Sequence, residues 1–395
     1  MIEICKKQDC VGCFACISAC KTDAVSMQPD SLGFFYPVIN PNKCIDCGLC
    51  VKSCFNNNKL RYNEPVDTFV GHAIKKEEQL SSTSGGLASV FMRTILNGGG
   101  VVYGCSGENA REVKHIRIEH SNDINKLKGS KYVQSYMGFI YKKVVQDLKE
   151  DKTVLFIGTP CQIAGLKSYL KGNDYENLFT VDFVCHGVPS QQILNGAIDE
   201  NVPNKYNLHL VNRVKEDGKN SKYTMRLLDG NEIVYDQPYP SMGYITGFLS
   251  GLYYRESCYQ CKFARRERVS DITLGDFWDK KDAVENLTNK KDGLSMIMVN
   301  TNKGRKLMDL CMTSLECVAW DYEDFIKRNG QLKRPISRHA NRALFKEYFV
   351  DKGFKCAINV ALKGDLKRIK KSLFLSRMIS LCYKIPLIKV FYGRK

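Results

Sequence analysis

The sequence lacks what would carry a chain into or across a membrane. It has no run of about 18 apolar residues, the length a spanning helix needs. Its opening residues, MIEICKKQDC, hold no apolar core of signal-peptide length, so nothing there marks export and the expected location is the cytoplasm. The chain is also short of acids: 42 Asp and Glu stand against 59 Lys and Arg, for a formal net charge of +17. Such a balance invites nucleic acid or an anionic membrane surface. No stretch interleaves aromatic and basic residues as a nucleic-acid recognition motif does, which argues against nucleic acid as a partner. Much of the excess charge sits in the last fifty residues and describes that region alone.

Cysteine is present in excess, with eighteen in 395 residues. Where thiols stay reduced, their spacing is read for metal before disulfides. Two stretches, CVGCFACISAC (10–20) and CIDCGLCVKSC (44–54), are copies of C-x2-C-x2-C-x3-C. Three closely spaced thiolates wrap one cubane, and in the bacterial two-cluster arrangement the fourth cysteine of each run serves the other cluster. Cys10, Cys13, Cys16 and Cys54 are therefore assigned to one [4Fe–4S] centre, and Cys44, Cys47, Cys50 and Cys20 to the other, with zinc as the competing metal. Residues 5–56 resemble the bacterial-type dicluster ferredoxin domain. They depart from it at Lys21 and Phe55, where that family often has proline; proline shapes the chain's exit and ligates nothing. Cys5 lies outside the spacing and reads as a bystander.

Between the two runs, AVSMQPDSLGFFYPVINPNKC reads as two short strands around a turn at 30–33, and NNNKLRYNEP as a polar linker. From about residue 63, strands and helices alternate. TFVGHAI, VVYGC, TVLFIG and FTVDFVC read as strands, with helices after STSGG, over MGFIYKKVVQDLKEDK, from Cys161 and over VPSQQILNGAID. This rhythm predicts an α/β core with parallel or mixed strands. Residues 207–236 read as a β-rich insertion with a tight turn at 229–230, and SDITLGDFWD and MIMVN return to strand.

Four further cysteines fall in this region: Cys161 in LFIGTPCQIAGL, Cys185 in VCHGVPS, and Cys258 and Cys261 in CYQC. Cys161 lies in the first turn of a helix, where it could be an acidified nucleophile, a metal ligand or a small buried residue. Cys161 and Cys185 follow strands whose turns would share one sheet edge, where ligands gather. The C-x2-C pair would complete four ligands, for a third cubane or for tetrahedral zinc. Three cubanes, each carrying roughly −2, would bring +17 down to about +11. Cys105, Cys311, Cys317, Cys356 and Cys382 lack metal spacing and read as buried free thiols.

In order across residues 81–278 stand STSGG, KGSKYVQS, GTPCQIAGL, VCHGVPS, CYQC and SDITLGDFW. Together they resemble the beta subunit of coenzyme F420-reducing hydrogenase and its F420-dependent dehydrogenase relatives, over roughly residues 63–345. The resemblance implies an FAD-containing flavoprotein with a [4Fe–4S] cluster beside the flavin, ligated by Cys161, Cys185, Cys258 and Cys261. Several relatives carry an N-terminal dicluster ferredoxin domain. Others use different electron partners, as in a chlorophyll-pathway reductase, or occur in settings of surface-polysaccharide synthesis.

A flavin pyrophosphate needs a helix N-terminus and close backbone approach. Ser82, Thr83, Ser84, Gly85 and Gly86 suit it, although small-residue turns before helices are common. Thr159 and Pro160 explain a helix start without any ligand, which leaves Thr159 the weaker flavin contact. Lys128 and Lys131 are candidates for stabilising a reduced flavin or an anionic substrate, against the plainer reading of solvated loop lysines. His186 is a candidate proton shuttle or a residue orienting the cluster loop. Asp276 and Trp278 read as packing residues.

The chain is thus expected to hold a ferredoxin-type domain at 1–62, a flavin and Fe–S domain at 63–345 and a basic helical tail at 346–395. Ile369, Leu373, Met378, Ile379 and Cys382 stand among basic residues in that tail, with Pro386 breaking the helix. Such a helix suits an anionic membrane face, a partner or its own domain, so a peripheral place at the inner membrane face is compatible with it. The expected function is an iron–sulfur flavoprotein oxidoreductase. It would move electrons between a small-molecule hydride donor or acceptor, F420 or another, and ferredoxin or another redox protein. The alternative is an electron-relay subunit without substrate chemistry of its own.

Overall fold

A computed structural model of the chain describes residues 3–203, 205, 207–215, 222–277, 284, 286–371 and 374. Leu373, Met378, Ile379, Cys382 and Pro386 of the expected tail helix lie outside the described residues, as does Trp278.

The N-terminal segment is ferredoxin-like. Each C-x2-C-x2-C run turns sharply around left-handed residues, and the repeat reappears in the backbone. Gly12 and Asp46 have φ of 62° and 50°, and Phe14 and Gly48 have 66° and 67°. A phenylalanine in that region is strained. It is held there because its ring is buried, with Tyr136 at 4.8 Å and Phe35 at 6.0 Å between centroids. Between the runs, β1 (Val25–Pro29) pairs antiparallel with β2 (Phe35–Ile39), as expected.

The larger region contains β3 (Asp67–Ala73), β4 (Val101–Ser106), β5 (Lys114–Ile118), β6 (Val154–Ile157) and β7 (Leu178–Phe183). After it come β8 (Leu208–Val214), β9 (Lys222–Asp229) and β10 (Glu232–Pro238), then β11 (Ile272–Phe277), β12 (Leu294–Val299) and β13 (Leu315–Ala319). Eight of these form one mixed sheet in the order β13-β3-β12-β11-β7-β6-β4-β5; β8, β9 and β10 form the separate insertion sheet. Strands β4, β6, β7 and β11 run parallel in the middle. The edge strands β5 and β13 go beyond the sequence reading: both are short and interrupt their apolar residues with charged ones.

Alternation along the central strands builds two cores. Val101, Tyr103, Val154 and Phe156 face the Ile140–Lys149 and Pro160–Tyr169 helices, whereas Val102, Leu155 and Val181 face the Leu87–Asn97 and Asn302–Cys311 helices. The ferredoxin-like segment joins the first core, where Phe14, Ala15, Ile17 and Phe55 pack with Ile163, Ala164 and Leu166. Gly165 makes that approach possible, since a Cβ there would fall 2.9 Å from Cys13 Sγ.

The asparagine run is less a slack linker than a fastener. Asn56 donates to Asp9 O at 2.9 Å, Asn57 to Ile4 O at 2.8 Å and Asn58 to Ser168 Oγ at 2.8 Å. The first two satisfy carbonyls beside the irregular cysteine loop, and the third ties the segment to the Pro160–Tyr169 helix.

Candidate redox site

Cys10, Cys13, Cys16 and Cys54 line one small cavity in the N-terminal segment. Cys5 lines it too. Cys5, which the spacing left outside the pattern, therefore shares a cavity with four of the expected ligands. The other quartet is nearer solvent: Cys47 is exposed, Cys20 and Cys44 are half-buried, and Cys50 is buried. Burial pushes the Cys50 thiol up, and the nearby Cys20 and Cys44 add to that.

A second cavity, of about 370 Å³, opens at the carboxyl ends of the central strands. It falls in the usual range for small-molecule sites, roughly 300–1,000 Å³. Cys161, Cys185, Cys258 and Cys261 all line it. Cys161 lies one residue into the Pro160–Tyr169 helix after β6, and Cys185 two residues past β7. Cys258 and Cys261 come from the short turn Glu256–Gln260 and its exit. Burial holds Cys161 at about 11 and Cys258 at about 12. Thiols raised this far are poor nucleophiles near neutrality, whereas a bound metal would take the thiolate outright. Among the described residues, no three ligand-type side chains converge on a single-ion site.

Ser82, Thr83, Ser84 and Gly86 line another wall of the cavity. Gly86, with φ of 86°, leads into the Leu87–Asn97 helix, whose leading N–H groups lie ahead of the first i−4 carbonyl, as at any helix start. Ser82 donates to Glu78 O at 2.7 Å and Ser84 to Leu294 O at 2.6 Å, so their hydroxyl protons are committed. Thr83 Oγ1 accepts from Ser130 N at 3.1 Å. Gly85 serves packing instead, because a Cβ there would fall 2.5 Å from Gly71 O.

Lys128 reaches the cavity but pairs with Glu78 at 2.8 Å and donates to Ser81 Oγ at 2.9 Å. Lys131 also lines it. Its Nζ donates to the carbonyls of Leu127 and Lys128, both at 2.7 Å, and burial lowers it to about 8. His186 lines the cavity beside Cys185 and is lowered by burial. Asp276 lines it as well and pairs with Arg213 from the insertion at 2.9 Å.

Thr159 does start the helix: its N–H donates to Gln162 Oε1 at 2.9 Å. Its Oγ1 stands 3.1 Å from Cys161 Sγ. From there a buried network continues that the sequence reading missed. Gln162 Nε2 donates to Ser135 Oγ at 2.9 Å, Ser135 Oγ lies 2.8 Å from His115 Nδ1, and His115 Nε2 lies 3.1 Å from Ile157 O. The carbonyl can only accept, so Nε2 carries the proton and Nδ1 accepts from Ser135. Arg255 was missed too; its only signal is a basic residue, followed by Glu256, inside the aromatic run GLYYRESCYQC.

A mixed sheet with clustered cysteines at its carboxyl edge, joined to a ferredoxin-like segment, defines an iron–sulfur redox protein. Residues 9–58 match the 4Fe-4S dicluster domain, a span containing all eight repeat cysteines. Residues 151–323 match the family described as the C terminus of the coenzyme F420 hydrogenase/dehydrogenase beta subunit. One similar solved structure is a chain of the F420-reducing [NiFe] hydrogenase complex from Methanosarcina barkeri. It is 15% identical over 68% of this chain and 89% of that chain, with a TM-score of 0.47. No curated protein matches.

Proposed function

We propose that the chain is a flavin- and iron–sulfur-dependent oxidoreductase with FAD in the large cavity and a third [4Fe–4S] centre on Cys161, Cys185, Cys258 and Cys261. One observation carries the reading: four cysteines from three separate loops line the same cavity as a glycine-led helix N-terminus, Lys131 and His186. The donor set fits a cubane, and the cavity's mixed lining of small, apolar and basic groups fits a flavin. Bound FAD would take up two electrons as a hydride and release them singly to cubanes.

The chain's own residues then have distinct tasks. The leading N–H groups of the Leu87–Asn97 helix, with Thr83 Oγ1, hold the pyrophosphate; the Ser82 and Ser84 hydroxyls stiffen the turn. Lys128, tied to Glu78, fixes the neighbouring loop. Lys131 holds or releases a proton at Nζ near neutrality, because burial has brought it to about 8. His186 orients the Cys185 loop. Thr159 Oγ1 can donate to a metal-bound Cys161 sulfur.

In this reading residues 1–62 form the ferredoxin-type domain, 63–345 the flavin and cluster domain and 346–395 the basic tail. The partners are a small-molecule hydride donor or acceptor, F420 or another, and a one-electron redox protein. Work in surface-polysaccharide synthesis, close to a membrane face, would suit the basic tail.

The test is anaerobic purification with an ultraviolet-visible spectrum and quantitation of iron, zinc and flavin. About twelve irons and one FAD per chain are expected, at four irons per cubane. Eight irons without flavin, or zinc in place of the last four irons, would overturn the reading. Cys161→Ala is expected to lose about four irons while the N-terminal pair stays loaded.

A further inference from the structure

Arg255 is completely buried, three residues before Cys258. Its guanidinium reaches into the ferredoxin-like segment. Nε donates to Cys10 O at 2.7 Å and Nη2 to Phe35 O at 2.7 Å, with Nη2 3.5 Å from Cys10 Sγ. Nη1 donates to Gln134 Oε1 at 3.2 Å, and Cζ stands 4.5 Å from the centre of the Tyr36 ring. Gly12 makes room, because a Cβ there would fall 2.8 Å from Nη1.

Among the described residues, no carboxylate pairs with this cation. The adjacent Glu256 is held instead by Arg338 and Arg342. A buried charge without a counter-charge is costly, and hydrogen bonds to carbonyls offset only part of that cost. The negative charge at hand is cysteinyl. Cys10 Sγ lies 3.5 Å from Nη2, and Arg255 also lines the large cavity together with Cys161 and Cys258. The two quartets of the repeat differ here: Cys10 adjoins the guanidinium, whereas Cys47 of the other quartet is exposed.

We propose that Arg255 is the electrostatic junction of the electron path, a positioning residue that joins the cavity-side cysteines to the Cys10, Cys13, Cys16 and Cys54 centre. The proposal rests on the iron–sulfur reading above. Reducing a cubane adds one electron, taken from the neighbouring centre, and makes no bond; its charge goes from roughly −2 to −3. A fixed positive charge beside Cys10 favours the reduced form and so raises that centre's potential.

The experiment is an EPR-monitored redox titration of the full chain purified without oxygen, comparing wild type, Arg255→Gln, Arg255→Lys and Tyr36→Glu. Arg255→Gln is expected to shift the reduced-to-oxidised ratio of one centre by at least about tenfold toward oxidised at fixed potential, leaving the outer centre in place. Arg255→Lys keeps most of the wild-type value. Tyr36→Glu, at a half-buried position, sets a carboxylate against an intact Arg255 and lowers the same potential, so it carries the test if Arg255→Gln loses its clusters. Unshifted potentials in a fully loaded Arg255→Gln, or in Tyr36→Glu, would overturn the proposal. Wild-type iron content below about twelve would instead count against the three-cluster reading.

Discussion

A cysteine in the first turn of a helix is ordinarily an acidified thiol, yet Cys161 is held near 11 because burial outweighs the helix terminus. His115 follows the same logic with the opposite sign. Burial lowers it to about 4, and it stays neutral, accepting from Ser135 and donating to Ile157 O. Its native pKa lies below the ordinary 6.5, so the folded state binds fewer protons than the unfolded one between those values. Stability is therefore fully present above about 6.5 and declines as pH falls toward 4, by on the order of 3 kcal/mol from this residue. Chemical denaturation at pH 7 and pH 4.5 checks this. His115→Gln should flatten the decline, and an unchanged slope in that variant would place the acid sensitivity elsewhere. Neither His115 nor Arg255 announces its role in the sequence, because each depends on partners far along the chain.

At the level of elements, the Pro160–Tyr169 helix does two jobs. Its first turn presents Cys161 to the cavity, and its middle accepts the first cysteine loop at Gly165. A methyl group there would meet Cys13 and the Tyr141 hydroxyl, each at 2.9 Å. Gly165→Ala should cost about 1–3 kcal/mol by overpacking and reduce iron retention in the Cys10 quartet. Thermal unfolding and iron quantitation read both effects; a fully loaded variant of unchanged stability would show that the loop can yield. The central strands were legible because strands covered on both faces are apolar throughout. β5 and β13 were not, since an edge strand covered on one side carries charged residues that blur the pattern. The 56–58 asparagines read as a linker because polar composition looks the same whether its partners are water or backbone carbonyls.

For the whole molecule, the uneven distribution of core is decisive. The N-terminal segment owns one two-stranded hairpin, too little for independent stability, and leans on the Pro160–Tyr169 helix and its cysteine sites. Removing iron should therefore strip amide-exchange protection from residues 9–58 while β4, β6 and β7 keep theirs. Hydrogen exchange before and after chelation tests this, and retained protection over 9–58 would show a segment that stands without metal. Cysteine spacing was enough to reveal the dicluster domain, because a cubane constrains its ligands locally and the constraint is written in consecutive residues. Strand and helix rhythm was enough for a mixed α/β core, because periodicity is also local. The grouping of Cys161, Cys185, Cys258 and Cys261 was expected from the turns after two strands, the C-x2-C pair and the family resemblance, and all four line one cavity; only the tertiary structure set Arg255 against Cys10. That contact joins residues 245 positions apart, and a pairing over that distance leaves no trace in composition or spacing; it exists only once the ferredoxin-like segment has packed against the larger region.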